Sequence, residues 1–213
     1  MMFSGLRVAA LMLAAGTTTA WAATGLPAPQ EFYFEKDAAA APVMVVAPGA
    51  DPGALVAQLI KQRERDRKVA EATVQLADVA IAQGRAEQGD NLYSDALAEW
   101  PAASSNGRVV RWNHGWSLLR RGQMDAALGQ WQAATSGLRG NPSWLPPTYA
   151  LALWRLGEKG EAVKWYAAAV RTEPTLWSDA SHYASLLPDW HEDERATLGE
   201  VQAAWLAQPP AWP

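Results

Sequence analysis

Three glycines, Gly84, Gly122 and Gly157, stand 38 and then 35 residues apart, and the same residue types return at the same distances from each. Five residues on is a small residue: Gly89, Ala127, Ala162. Nine on is an aromatic: Tyr93, Trp131, Tyr166. Twelve on is alanine: Ala96, Ala134, Ala169. Seven before is again a small residue: Ala77, Gly115, Ala150. A period of this length, met three times, constrains the fold more than any local motif, because it demands one supersecondary unit used repeatedly.

The grammar has a physical reading. Two antiparallel helices joined by a tight turn need glycine where the backbone leaves helical geometry. Where the helices cross closely, one of them must present a small side chain. The aromatic one turn later fills the wider space beside the crossing, and the second alanine lets the next hairpin stack. A single hairpin cannot bury its apolar stripe, so hairpins of this kind stack on one another. Between Val69 and Gln208 the pattern is helical throughout, broken at Gly84, residues 101–107, Gly122, residues 137–142, Gly157, Pro174 and Pro188, and no segment reads as a strand.

These positions resemble the tetratricopeptide repeat. The third unit, residues 143–174, carries Ala150, Gly157, Ala162, Tyr166, Ala169 and Pro174. The second, 108–140, carries Gly115, Gly122, Ala127, Trp131 and Ala134, with Arg139 where the family has proline, so a longer exit turn is expected. The first, 70–101, carries Ala77, Gly84, Tyr93, Ala96 and Pro101, with Gly89 in place of the usual alanine. The resemblance implies an all-α fold: a right-handed superhelical solenoid of about three helical hairpins. Residues 178–206 read as a C-terminal capping pair of helices, with Leu198, Val201 and Trp205 in one apolar stripe, and 207–213 as a tail ordered only if Trp212 docks.

The N-terminal side is organised differently. Arg7, the apolar run from Val8 to Gly16 and the small-x-small site ending at Ala22 read as a secretory signal over residues 1–22, cleaved near Ala22/Ala23. Residues 23–50 are rich in proline and alanine and read as an extended linker. Within it, "EFYFE" at 31–35 either docks as a strand-like segment or stays a solvated tail. Asp51-Pro52 is an N-cap with proline at the first helical position, opening the helical domain of residues 51–206. The basic run "KQRERDRK" at 61–68 reads as a solvated helix surface with Glu64 and Lys68 paired one turn apart. The chain has no cysteine, so a lipoprotein anchor and a disulfide framework are both excluded. An exported, cysteine-free chain suits the bacterial periplasm.

Chemistry-bearing motifs are scarce. Three histidines and no cysteine leave no Cys/His metal site. "HEDE" at 191–194 lacks the second histidine of a zinc helix and reads as a helix N-terminus whose acids complement the dipole. No catalytic residue, cofactor or metal is expected. The net charge of −4 argues against nucleic acid, and no span is expected in the mature chain. The family resemblance instead implies a concave surface lined by the first helix of each hairpin. Carried across, its positions are Val74, Asp78 and Ile81 in the first unit, Trp112, Trp116, Leu119 and Arg120 in the second, and Trp144, Leu151, Trp154 and Arg155 in the third. Trp116 and Arg120 share a helix face, and Arg120 and Arg155 would place two guanidinium groups beside an apolar floor, suited to a peptide with an apolar anchor and an acidic neighbour. Either these tryptophans line an open groove, or they are covered by the cap helices or by residues 31–35. The expected function is non-catalytic binding of a protein or peptide of the cell envelope. The alternatives are an oligomerisation module using residues 52–70 and a glycan- or peptidoglycan-binding protein using the tryptophans.

Overall fold

The computed structural model describes residues 26, 29, 45–47, 51–65, 68–138 and 142–211. The signal segment at 1–22, the aromatic stretch at 31–35, Arg139 and Trp212 lie outside the described residues. Every regular element among those described is helical: α1 (Pro52–Glu64), α2 (Val69–Ala82), α3 (Ala86–Glu99), α4 (Ser105–Arg120), α5 (Met124–Ala134), α6 (Leu145–Leu156), α7 (Lys159–Thr172), α8 (Pro174–Trp177), α9 (Tyr183–Leu186) and α10 (Glu192–Ala207). The protein is all-α.

Three hairpins, α2–α3, α4–α5 and α6–α7, form the body. Gly84, Gly122 and Gly157 each take positive φ, +77°, +80° and +87°, the left-handed geometry that a side chain would strain. The crossings are as tight as the small residues demand. A β-carbon on Gly115 would lie 2.1 Å from Trp131 Nε1, and one on Gly89 would lie 2.7 Å from the Ala77 carbonyl oxygen. Tyr93, Trp131 and Tyr166 are fully buried beside their crossings, and Ala96, Ala134 and Ala169 are buried one turn further on. Trp131 also donates its indole N–H to the Trp112 carbonyl at 3.1 Å, so α5 is tied to α4 by a buried hydrogen bond as well as by packing.

The start of the domain departs from expectation at one point. Asp51 caps α1 by accepting from the Gly53 N–H, but the helix ends at Glu64 and Lys68 takes φ +57°. Glu64 and Lys68 therefore do not share a helix, and the expected pairing one turn apart is not available to them. The break turns α1 back onto α2, where Leu59 is buried against Ala72 and Leu76. Val46 joins that cluster from the preceding segment. Gln75 of α2 fixes it there: its carbonyl oxygen accepts from the N–H groups of Val45 (2.8 Å) and Val46 (3.1 Å), and its NH2 donates to the Val46 carbonyl (2.6 Å).

The C-terminal region is one long helix and an irregular approach to it, rather than a pair of helices. Pro174 opens the four-residue α8; Asp179 then caps a single 3-10 turn at Ala180–His182, and α9 stops before Pro188. Helix α10 lies on α6 and α7, burying Leu198 and Val201 with Trp205 half-buried beside them. His191 and Glu194 form a capping box at its start. The successive hairpins are not equally close. Helix α4 packs along α2, but α6 makes its main contacts with α5, α7 and α10 and does not lie along α4. The core accordingly runs through three separate clusters, one at α1–α2, one at α2–α4 and a large one from α4 to α10.

Candidate functional site

Where α4 and α6 diverge, a cavity of about 760 Å³ opens. Its walls come from α2, α4, the start of α6 and residues 173–191. Five tryptophans face it: Trp112, Trp116, Trp144, Trp177 and Trp190. Four of them support one another through ring contacts, and Trp177 packs on Tyr183 instead. Trp112 meets Trp144 at 4.3 Å between ring centroids and Trp116 at 5.7 Å, and Trp116 meets Trp190 at 4.9 Å. Trp112 is only 4% exposed, and its indole N–H, buried, has no hydrogen-bond partner among the described residues.

The opposite wall is polar. Asp78 of α2 accepts a hydrogen bond from the buried Tyr93 hydroxyl at 2.7 Å, and Ser117 of α4 bonds to it too. Solvent in the cavity reaches Asp78, yet protein surrounds it on its other sides. That desolvation outweighs the hydrogen bonds and the nearby Arg120 and Arg121, and its carboxyl is pushed up to about 6. Burial and the neighbouring Asp78 charge raise Tyr93 in turn. His114 stacks on Tyr93 at 4.4 Å, and burial lowers it to about 4, so it is a neutral packing group at physiological pH.

The residues singled out from the sequence divide. Trp112, Trp116, Arg120 and Trp144 line the cavity, as do Asp78 and Ile81. Leu119 and Leu151 are 1% and 0% exposed and belong to the hydrophobic core, with Val74 likewise buried between α2 and α3. Trp154 and Arg155 face α10 instead of the cavity. The Trp154 indole donates to Glu200 at 2.8 Å, and Arg155 Nη2 pairs with Asp193 at 2.6 Å.

The expectation of two free guanidinium groups in one groove is therefore corrected. Arg120 gives Nε to Glu194 Oε1 at 2.8 Å and Nη2 to Glu194 Oε2 at 3.2 Å, with a further bond to the Asp189 carbonyl. The cause is α10: its N-terminal acids, which complement the helix dipole, also reach back to the arginines of α4 and α6. Trp177, Trp190, Arg121 and Gln75 also line the cavity, although nothing in the repeat spacing singles them out. The signal available for the first two was the tryptophan count itself, twelve against three phenylalanines, concentrated in helices and loops that must converge somewhere.

Among the described residues no group of His, Asp or Glu is placed to hold a metal ion, and no helix is long and apolar enough to cross a membrane. Comparison with protein-family models, with curated proteins and with solved structures gives no match in any of the three.

Proposed function

We propose that the chain is a tetratricopeptide-like solenoid that binds a segment of another protein, without catalysis, in the cavity between α4 and the residues leading into α10. One observation carries the reading: an aromatic cavity large enough for several side chains, with a polar wall at one side, at the place where the stacking of hairpins opens. The repeated turn glycines, the close crossings at Gly89 and Gly115 and the buried aromatic beside each crossing support the solenoid. Tryptophan is a residue type on which protein interfaces concentrate their binding energy. The secretory pattern of residues 1–22 supports a site of action in the bacterial periplasm or cell envelope.

A photo-crosslinking side chain tests this. Leu176 lines the cavity and is exposed, whereas Leu206 is exposed on α10 and does not line it. With p-benzoylphenylalanine at position 176, irradiation of cells making the protein should give discrete protein adducts that position 206 does not give. Equal adducts at both positions, or none at 176, would remove the cavity as a protein-binding site.

A further inference from the structure

The charges around the cavity do not balance within it. Its two arginines are both held by acids that lie outside it. Arg120 is gripped by Glu194 through two hydrogen bonds. Arg121 is gripped by Asp90, Nη2 to Oδ1 at 2.8 Å and Nη1 to Oδ2 at 3.1 Å, and gives Nε to the Ser117 carbonyl. A guanidinium paired in this bidentate way has its charge and its planar donors already satisfied. The cavity's acids stand otherwise. Asp78, Glu173 and Asp189 line it, and none has a basic side chain within ion-pair distance among the described residues. Among the described residues Asp78 is held by the hydroxyls of Tyr93 and Ser117, with Arg120 and Arg121 acting on it only through their charge.

The aromatic wall carries the same sign. Indole faces present negative potential and attract ammonium and guanidinium groups. This molecule already uses that attraction twice: Arg120 lies 5.3 Å from the Trp116 ring centroid and Lys159 lies 4.7 Å from that of Trp154. A free amine would meet the carboxylate and the rings but leave most of the cavity of about 760 Å³ unfilled. A polypeptide brings a cationic side chain together with apolar neighbours that fill the aromatic part.

We infer that the cavity takes an arginine or lysine side chain flanked by an apolar residue in a segment of a partner protein, with Asp78 as the counter-charge and the tryptophans as the wall. The inference rests on the peptide-binding reading above and reverses the charge expected from the sequence.

The test is a charge series. Short capped peptides, identical except for Arg, Lys, norleucine or Glu beside a leucine, are titrated against the full chain and followed by tryptophan fluorescence and calorimetry, with arginine amide as a separate arm. The Arg and Lys peptides should bind roughly tenfold or more tighter than the norleucine peptide, a difference of about 1.4 kcal/mol, with Glu weakest. Asp78→Asn should collapse the gap between Arg and norleucine. The wild-type series stands by itself should that variant fold poorly. Peptide binding with no charge preference, or with Glu preferred, overturns the cationic assignment and leaves the peptide-binding reading standing. Arginine amide binding as tightly as the peptides overturns the polypeptide part. Failure of every peptide to bind overturns both readings.

Discussion

Arg120 and Glu194 meet through two hydrogen bonds although 74 residues of chain separate them. Glu194 is fully buried and also accepts the His191 N–H at 2.7 Å, so one carboxylate closes the capping box of α10 and fastens that helix to α4. Removing Arg120 leaves the buried Glu194 carboxylate uncompensated. Arg120→Ala should destabilise the fold by about 2–4 kcal/mol, the lower part of that range reflecting the 35% exposure of the arginine side chain. Arg155→Ala, whose partner Asp193 is 69% exposed, should cost about 0–1 kcal/mol. Urea unfolding of the two variants decides: equal losses would show that α10 is not anchored through Glu194.

Gly115 and Gly129 both sit inside helices of one hairpin, yet they should respond oppositely to alanine. At Gly115 the new methyl group meets the Trp131 ring, and Gly115→Ala should cost about 1–3 kcal/mol by overpacking. At Gly129 there is open space, and Gly129→Ala should stabilise by about 0.5–1 kcal/mol through helix propensity. Thermal melts in which the two variants shift in the same direction would contradict the close crossing of α4 and α5.

Asp78 should oppose stability as pH rises. Its folded pKa, about 6, lies above its ordinary value of 3.8, so between those values the unfolded chain gives up the proton first. This group's contribution is fully present below pH 3.8 and is lost as pH climbs through about 6. The groups facing it are Tyr93 on α3 and Arg120 and Arg121 on α4; Tyr93, itself raised, stays protonated there. Desolvation raises Asp193, but the hydrogen bond and charge of Arg155 together with smaller contributions outweigh it and hold the group below its ordinary value; it contributes the opposite slope in acid, and that slope is common to wild type and variant. The difference in unfolding free energy between Asp78→Asn and wild type should therefore grow in favour of the variant from pH 4 to pH 7. A flat difference would mean that Asp78 is not desolvated.

Gln75→Leu should release the segment at Val45–Ala47 without disturbing the hairpins. The glutamine side chain supplies the acceptor for two backbone N–H groups there. Hydrogen exchange at Val45 and Val46 should speed up by orders of magnitude in the variant, with the α4 and α6 amides unchanged. Unchanged protection at both valines would assign their docking to Val46 packing alone.

What the sequence disclosed and what it withheld follow one physical division. Turn glycines, crossing alanines and the aromatic beside them are dictated by backbone geometry and contact within one hairpin, so Gly157, Ala162 and Tyr166 could be read from spacing. The Asp51 cap and the helix start at "HEDE" were legible for the same reason. The pairing of Arg120 with Glu194 was not, because nothing local marks which of several acids will reach a given arginine. Nor was the break at Lys68, where helix-forming residues run on both sides and tertiary packing of α1 against α2 prevails. The cavity was half legible. Trp112, Trp116 and Asp78 sit at helix positions the spacing picks out, whereas Trp177 and Trp190 reach it from an irregular stretch whose path no periodicity encodes.

The divergence of α4 from α6 also bears on how the molecule comes apart. The part from α1 to α5 and the part from α6 to α10 are joined by the α5–α6 contact, by side chains of the large shared core and by the Arg120–Glu194 bond, while the cavity walls belong to both parts. A guest seated against Gln75 and Asp78 on one side and Trp177 and Trp190 on the other is a removable cross-link between distant stretches of one chain. Its free energy of binding adds to the coupling between the two parts as well as to overall stability. Loaded molecules should melt as one unit and resist proteases along their whole length, and empty ones should fray first at the seam. Cellular lifetime then becomes a readout of occupancy.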